Sequence, residues 1–167
     1  MRILGIDPGR HGALALIDTV RATLQVWRMP ILERELTTTT KHLVDAHGLA
    51  DVVRGAHADE AWLEDVWAME GEGPVGAFSF GNSKGVVEGV LGALGVALRY
   101  VPPARWKIDL RVPRNKQLAK ARGHALFPGC VGILSSEAKA EAALIALFGA
   151  LSGGELRQVL SPSICTA

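Results

Sequence analysis

Four acids in this 167-residue chain stand where secondary structure, rather than solvent, decides their company. Asp7 follows the apolar run Ile3-Leu4-Gly5-Ile6 and precedes Pro8-Gly9, so it closes a short buried strand at a turn. Glu64 lies in the alternating stretch Trp62-Leu63-Glu64-Asp65-Val66-Trp67, where a period of two puts Trp62, Glu64 and Val66 on one face. Glu137 and Glu141 are four apart at the start of a helical pattern, and Leu144 and Phe148 carry the same stripe into a core. Carboxylates gathered from separate elements repel one another and are costly to bury unless cations sit among them. Mg²⁺ takes one or two carboxylates and keeps its other positions for water and phosphate oxygens. Two such ions about 4 Å apart activate a water and stabilise the leaving oxygen of a phosphodiester. No His or Cys cluster offers a zinc site instead. Each acid also has an ordinary reading: Asp7 as a turn cap, Glu64 or Asp65 as the surface of an edge strand, Glu137 as a helix N-terminal acid, Glu141 as an ion-pair partner.

The charge distribution points the same way. The net charge is only +1, yet residues 99–124 carry eight Lys and Arg against the single acid Asp109. Residues 59–72 reverse this, with Asp59, Glu60, Glu64, Asp65, Glu70 and Glu72 and no Lys or Arg. A basic face beside an acidic cluster suits a metal-dependent enzyme acting on a polyanion, although charge runs are commonly just solvated faces. With 49% apolar residues the chain can bury a full core. No apolar run approaches the roughly 18 residues of a membrane span. The start shows no basic segment leading into an apolar core, as a secretory signal would. Cys130 and Cys165 stand far apart in no metal-ligand spacing, which suits a reducing, cytoplasmic setting.

The elements that must position these residues follow from periodicity. Strands are expected at 3–7, 12–18 and 23–27, joined by short links into an antiparallel meander. The Thr37 to Thr40 cluster offers caps for a helix with apolar positions at Leu43, Ala46, Leu49, Ala50 and Val53. A fourth strand is expected over 61–69, a glycine-rich loop or lid over 70–80, and a helix capped by Asn82 or Ser83. A fifth strand at 97–101 stops at Pro102-Pro103, a basic helix covers 115–126, and the last helix starts after Ser135-Ser136. The order βββαβαβαα predicts an α/β fold with a mixed sheet, as one domain over 1–152 with a loosely ordered tail over 153–167. Gly81, Gly85 and Gly89 recur every four residues within the second helix, where each glycine costs about 1 kcal/mol relative to alanine. That spacing predicts a face approached closely, by the sheet or by a second copy in a dimer.

These residues also carry a resemblance. Gly5-Ile6-Asp7-Pro8-Gly9, the acid in Trp62-Leu63-Glu64-Asp65-Val66, and Ala140-Glu141-Ala142-Ala143-Leu144-Ile145-Ala146 resemble the motifs of RuvC-like Holliday-junction resolvases. Phe78-Ser79-Phe80-Gly81, Glu88-Gly89-Val90-Leu91 and Val101-Pro102-Pro103-Ala104-Arg105-Trp106-Lys107 are similar to phage-type members, and together the matches span about residues 3–150. The resemblance implies an RNase H-like fold, with a five-stranded mixed sheet of three antiparallel strands and then parallel ones, flanked by helices. It implies a homodimer that binds a four-way DNA junction and nicks opposed strands symmetrically, leaving 5′-phosphates. Asp7, Glu64 and Glu141 match the family's metal-binding acids.

The fourth acid departs from the pattern. Classical members place Asp three residues before the last acid, where this chain has Ala138; phage-type members place Asp four before it, where this chain has Glu137. Glutamate ligates Mg²⁺, but its extra methylene moves the carboxylate by more than about 1 Å. The implied mechanism is hydrolysis with two Mg²⁺, or Mn²⁺, with Asp7 between the ions, Glu64 on one and Glu137 with Glu141 on the other. The alternative is a junction-binding protein of the same fold with weak or absent catalysis. Arg105, Lys107, Arg111, Arg114, Lys116 and Lys120 are the expected phosphate contacts, with Arg10 and Lys84 nearer the acids. Phe78 and Phe80 are expected to wedge against junction bases or pack in the core, and Trp106 to stack or to anchor its loop. An actin- or hexokinase-like ATPase also opens on a strand, Asp and Gly, but requires a second glycine-rich phosphate loop that is missing here.

Overall fold

A computed structural model describes residues 1–67, 71 and 73–154. Five strands form one mixed sheet: β1 (Arg2–Asp7), β2 (Ala13–Asp18), β3 (Thr23–Arg28), β6 (Glu60–Glu64) and β7 (Ala97–Val101), in the order β3-β2-β1-β6-β7. The first three are antiparallel neighbours, whereas β6 runs parallel to β1 and β7 parallel to β6. The expected mixed sheet, antiparallel on one side and parallel on the other, is what forms.

Alternation along β1 separates two cores. Leu4 and Ile6 point to one side with Leu14, Leu16 and Leu63, where α1 (Ala46–Ala56) and α2 (Pro74–Ala93) cover the sheet through Leu49, Val53, Val87 and Leu91. Ile3 points to the other side with Ala13, Ala15 and Ile17, against α5 (Glu137–Ser152). Residues 142–150 of α5 are buried on every side, with the sheet on one flank and α3 (Pro103–Asp109) and α4 (Lys116–Leu126) on the other. Alanines at 140, 142, 143, 146 and 150 thin this helix enough to let it lie close to β1. Ser136 caps its start, its hydroxyl accepting from the Lys139 N–H at 3.3 Å. Trp62 on β6 meets Phe148 edge to face, ring centroids 5.3 Å apart.

Several boundaries differ from the sequence expectation. Residues 31–44 are no helix lead-in: they form a two-stranded hairpin of β4 (Ile31–Glu35) and β5 (Thr40–Val44), outside the main sheet and largely exposed. Of its threonines only Thr40 lies in a strand, where a β-branched residue suits extended backbone, and residues 36–39 make the turn closed by the Leu36 N–H on the Thr39 carbonyl at 2.8 Å. Asp45 caps α1 instead, its carboxylate accepting from the His47 N–H at 3.0 Å. The fourth expected strand, now β6, ends at Glu64; of the expected remainder, residues 68 and 69 lie outside the described residues. Helix α2 starts at Pro74, pre-set for a first helical turn, so Phe78 and Phe80 are helical and not in a lid. Asn82 and Ser83 therefore cap nothing, and the Ser83 hydroxyl donates to the Ser79 carbonyl one turn back at 3.0 Å. Helix α3 was not anticipated; it starts just after Pro102, which ends the extended run. The predicted tail falls, from residue 155 on, outside the described residues. No helix among the described residues is long and apolar enough to cross a membrane.

Candidate active site

The parallel pairing of β1 with β6 runs from Ile3 opposite Glu60 to Ile6 opposite Leu63. One residue further on each strand stand Asp7 and Glu64, at the same ends of neighbouring strands. Period two gives both the parity of Ile3 and Trp62, the side on which α5 packs. Glu141, one turn into α5, completes the group. The turn after Asp7 holds it there: Gly9 takes φ +115°, a conformation that costs glycine little, and the Gly12 N–H returns to the Gly9 carbonyl at 3.0 Å.

The three carboxyls feel one another. Asp7 is held well above the ordinary carboxylate range, by burial first and then by the charges of Glu141 and Glu64; Lys107 and Lys116 pull the other way. Glu64 is also raised, chiefly by burial, and is only 7% exposed. The fully buried Trp106 opposes this by donating its indole N–H to Glu64 Oε1 at 3.0 Å. Lys107 Nζ lies 3.1 Å from Glu141 Oε1, bringing a positive charge into the acid group. Glu137, the first residue of α5, is more open and lies 3.9 Å from the exposed Lys116 ammonium. Among the described residues, no three Asp, Glu, His or Cys side chains are already set to hold a metal ion. The chemistry of the donor set nevertheless suits one: all-oxygen ligands whose mutual repulsion a divalent cation would relieve.

Replacing Trp106 by Phe tests this arrangement. The change leaves a buried acceptor without its donor, worth about 1–3 kcal/mol. Because the donor favours the charged carboxylate, the loss is expected to be larger at pH 8 than at a pH low enough to protonate Glu64. Urea unfolding at both pH values measures it, and equal losses at both would show that the indole acts by packing alone.

Asp7, Glu137 and Glu141 open into a cleft of about 1160 Å³, with Arg10, Phe78 and Lys116 also on its walls. Phe78 is 78% exposed, whereas Phe80 is partly buried with its ring about 4 Å from where a side chain on Gly9 would reach. The anticipated acidic cluster is dispersed. Asp59 accepts from the Arg2 N–H at 2.7 Å, Glu60 pairs with Arg99 and Asp65 with Lys84, while Glu70 and Glu72 lie outside the described residues. Lys84 departs most from expectation: its ammonium is buried, 2.8 Å from Asp65 Oδ1 and over the rings of Trp67 and Tyr100, which removes it from the phosphate contacts.

The basic residues after 99 are likewise divided. Lys107 belongs to the acid group, and Arg105 pairs with Asp109 on α3 at 3.0 Å. Lys120 donates to the Ser135 carbonyl at 2.6 Å, while Arg111 and Arg114 are exposed between α3 and α4. On α2, side chains built at Gly81, Gly85 and Gly89 would meet open space, so the sheet is not what approaches that stripe. Sequence reasoning missed the Trp106 donor and the Lys107 counter-charge. Their only signal was position, just after the Pro102-Pro103 break that follows β7.

Strand order and the acid-bearing strand ends define an RNase H-like α/β fold. Among solved structures the chain is similar to Thermus thermophilus RuvC in complex with Holliday junction substrate, with a TM-score of 0.57 at 16% identity, covering 92% of this chain and 96% of that one. It is similar also to another Thermus thermophilus RuvC structure, with a TM-score of 0.55, 16% identity and the same coverage. No family model and no curated protein matches the sequence.

Proposed function

We propose that the chain is a metal-dependent endodeoxyribonuclease that binds four-way DNA junctions and nicks opposed strands, leaving 5′-phosphates. The observation that carries this reading is the convergence of Asp7, Glu64 and Glu141, from two strands and a helix, beside a cleft with basic and aromatic walls. Asp7, Glu64 and Glu141, with Glu137 beside them, are the residues that would hold Mg²⁺ or Mn²⁺. Bound there, the ions supply the Lewis acidity that activates water and stabilises the leaving oxygen. The chain's own residues do the rest. Burial and the Trp106 indole fix the Glu64 carboxylate, and the Lys107 ammonium offsets the repulsion between Glu141 and Asp7. Arg10 and Lys116 stand at the cleft to receive phosphates, with Arg111 and Arg114 exposed beyond them, and Phe78 stands ready to stack on an unpaired base. The resemblance of residues 78–107 to phage-type resolvases supports that branch and a cytoplasmic setting. The open glycine stripe on α2 supports a homodimer, since a second helix can approach it closely.

A second reading, a junction-binding protein without cleavage, is favoured by Glu137 standing in place of Asp and by the Lys107 ammonium already placed against Glu141. A labelled four-way junction incubated with the protein, with and without Mg²⁺, tests both. Binding with Mg²⁺-dependent paired nicks supports the resolvase, and binding without nicks supports the second reading. If junction and duplex bind equally and neither is cut, both fall.

A further inference from the structure

The cleft has a wall that neither the acids nor the basic segment after residue 99 explains. The β4–β5 hairpin contributes Arg34 and Lys41 to the cleft lining that Asp7, Glu137 and Glu141 share. Its register sets Arg34 directly across from Lys41, and Glu33 directly across from His42. Residues directly opposite share a face and successive residues alternate, so Arg34 and Lys41 lie on one face and Glu33, Glu35 and His42 on the other. On that second face Glu33 Oε1 and His42 Nδ1 are 3.5 Å apart. Like charges directly opposite destabilise a strand pair. Arg34 and Lys41 are nonetheless exposed, and among the described residues no carboxylate pairs with either. The hairpin thus sets two cations across from each other in the lining of the acid-bearing cleft, to which Thr40 and His42 of the other face also contribute, while its own acids Glu33 and Glu35 stay out of that lining. Among the described residues no carboxylate satisfies these cations, and a polyanion lying in the cleft would.

We propose that the β4–β5 hairpin is a phosphate clamp, in which Arg34 and Lys41 each hold a backbone phosphate of the DNA strand that lies in the Asp7 cleft. The clamp rests on the nucleic-acid reading of that cleft, but not on junction selectivity or on cleavage. Both contacts are to the backbone and independent of base sequence, so they register as salt dependence of binding.

Fluorescence anisotropy of the full chain in metal-free buffer, with a four-way junction and with a duplex over a salt series, is the test. Each phosphate contact contributes about 0.9 to the slope of log affinity against log salt. The expected result is a slope shallower by about 1.8 for the double variant Arg34→Gln/Lys41→Gln and by about 0.9 for each single variant. Glu33→Gln, on the other face, should not make the slope shallower. Thermal melts identify any variant that fails to fold, and the single variants then carry the measurement. An unchanged slope in folded variants overturns the clamp while leaving the junction reading standing. The expected slope changes on a duplex, without preference for the junction, uphold the clamp and sink the junction reading. A wild-type protein that binds no DNA overturns the clamp outright.

Discussion

Asp7→Asn is expected to reduce nicking of a four-way junction by about 10³-fold or more, the scale of losing a group central to charge stabilisation, while leaving junction binding intact. The same substitution is expected to stabilise the metal-free protein near neutral pH. The wild-type carboxyl is held above its ordinary range by burial and by Glu141 and Glu64. Between its unfolded and folded pKa values the native state therefore binds more protons than the unfolded chain, and stability falls as pH rises through that window. A carboxamide carries no such charge, so the variant should lack this part of the decline. A gain of about 1 kcal/mol would raise Tm by about 2–4 °C in a domain of this size. Mg²⁺ reverses the comparison: it should raise the wild-type Tm and leave the variant's almost unchanged. Calorimetry between pH 4.5 and pH 8, with and without Mg²⁺, measures both arms. Nicking retained within tenfold of wild type would remove Asp7 from the chemistry. A variant melting below wild type at pH 8 without metal would show that Asp7 is not electrostatically strained.

Gly5→Ala should have the largest effect on the fold. A Cβ on Gly5 would stand 2.2 Å from the Ala146 backbone nitrogen and 2.3 Å from the Ala142 carbonyl oxygen. Backbone of a buried helix cannot swing aside as a flexible side chain can, so relief requires α5 to move off β1. Replacing glycine with alanine gains about 0.4–1 kcal/mol from the unfolded chain where the native backbone tolerates it. Overpacking a core typically costs about 1–3 kcal/mol and more against rigid groups, so the clash wins. A net loss above about 3 kcal/mol is expected in chemical denaturation, or failure to accumulate as folded protein. Protein that does fold should cut poorly, because β1 carries Asp7 and α5 carries Glu141. A variant as stable as wild type would mean that β1 and α5 are further apart than described.

Both predictions turn on one contact, and the chain announces only half of it. The glycine before Ile6 and the alanines of residues 138–146 are visible in the sequence, as is the helical stripe through Glu137 and Glu141. That the helix seats its alanines on that glycine follows only from packing, because many helices could cover an apolar strand. The hairpin at residues 31–44 shows the opposite weakness. Its strands are short, mostly exposed and without apolar alternation, whereas apolar positions from Leu43 onward fit a helical period and threonine is a residue type that also caps helices. Short segments seldom separate the two periods, and here the antiparallel pairing of residues 31–35 with 40–44 makes them strands.

What the sequence by itself determined is the part of the site written in local periodicity. Asp7 falls at a strand end because an apolar run meets Pro8-Gly9, and Glu64 shares a face with Trp62 because strands alternate. Glu137 and Glu141 share a helix face because four residues make about one turn. The tertiary structure alone decided the partners that set their charge. Trp106 reaches Glu64 across 42 residues of chain, Lys107 reaches Glu141 from another helix, and Lys84 is drawn inward by Asp65. Such pairings depend on how α2, α3 and α5 pack around the sheet. Composition gave the basic segment one sign, and burial then divided it between the acids, the helix contacts and the open surface.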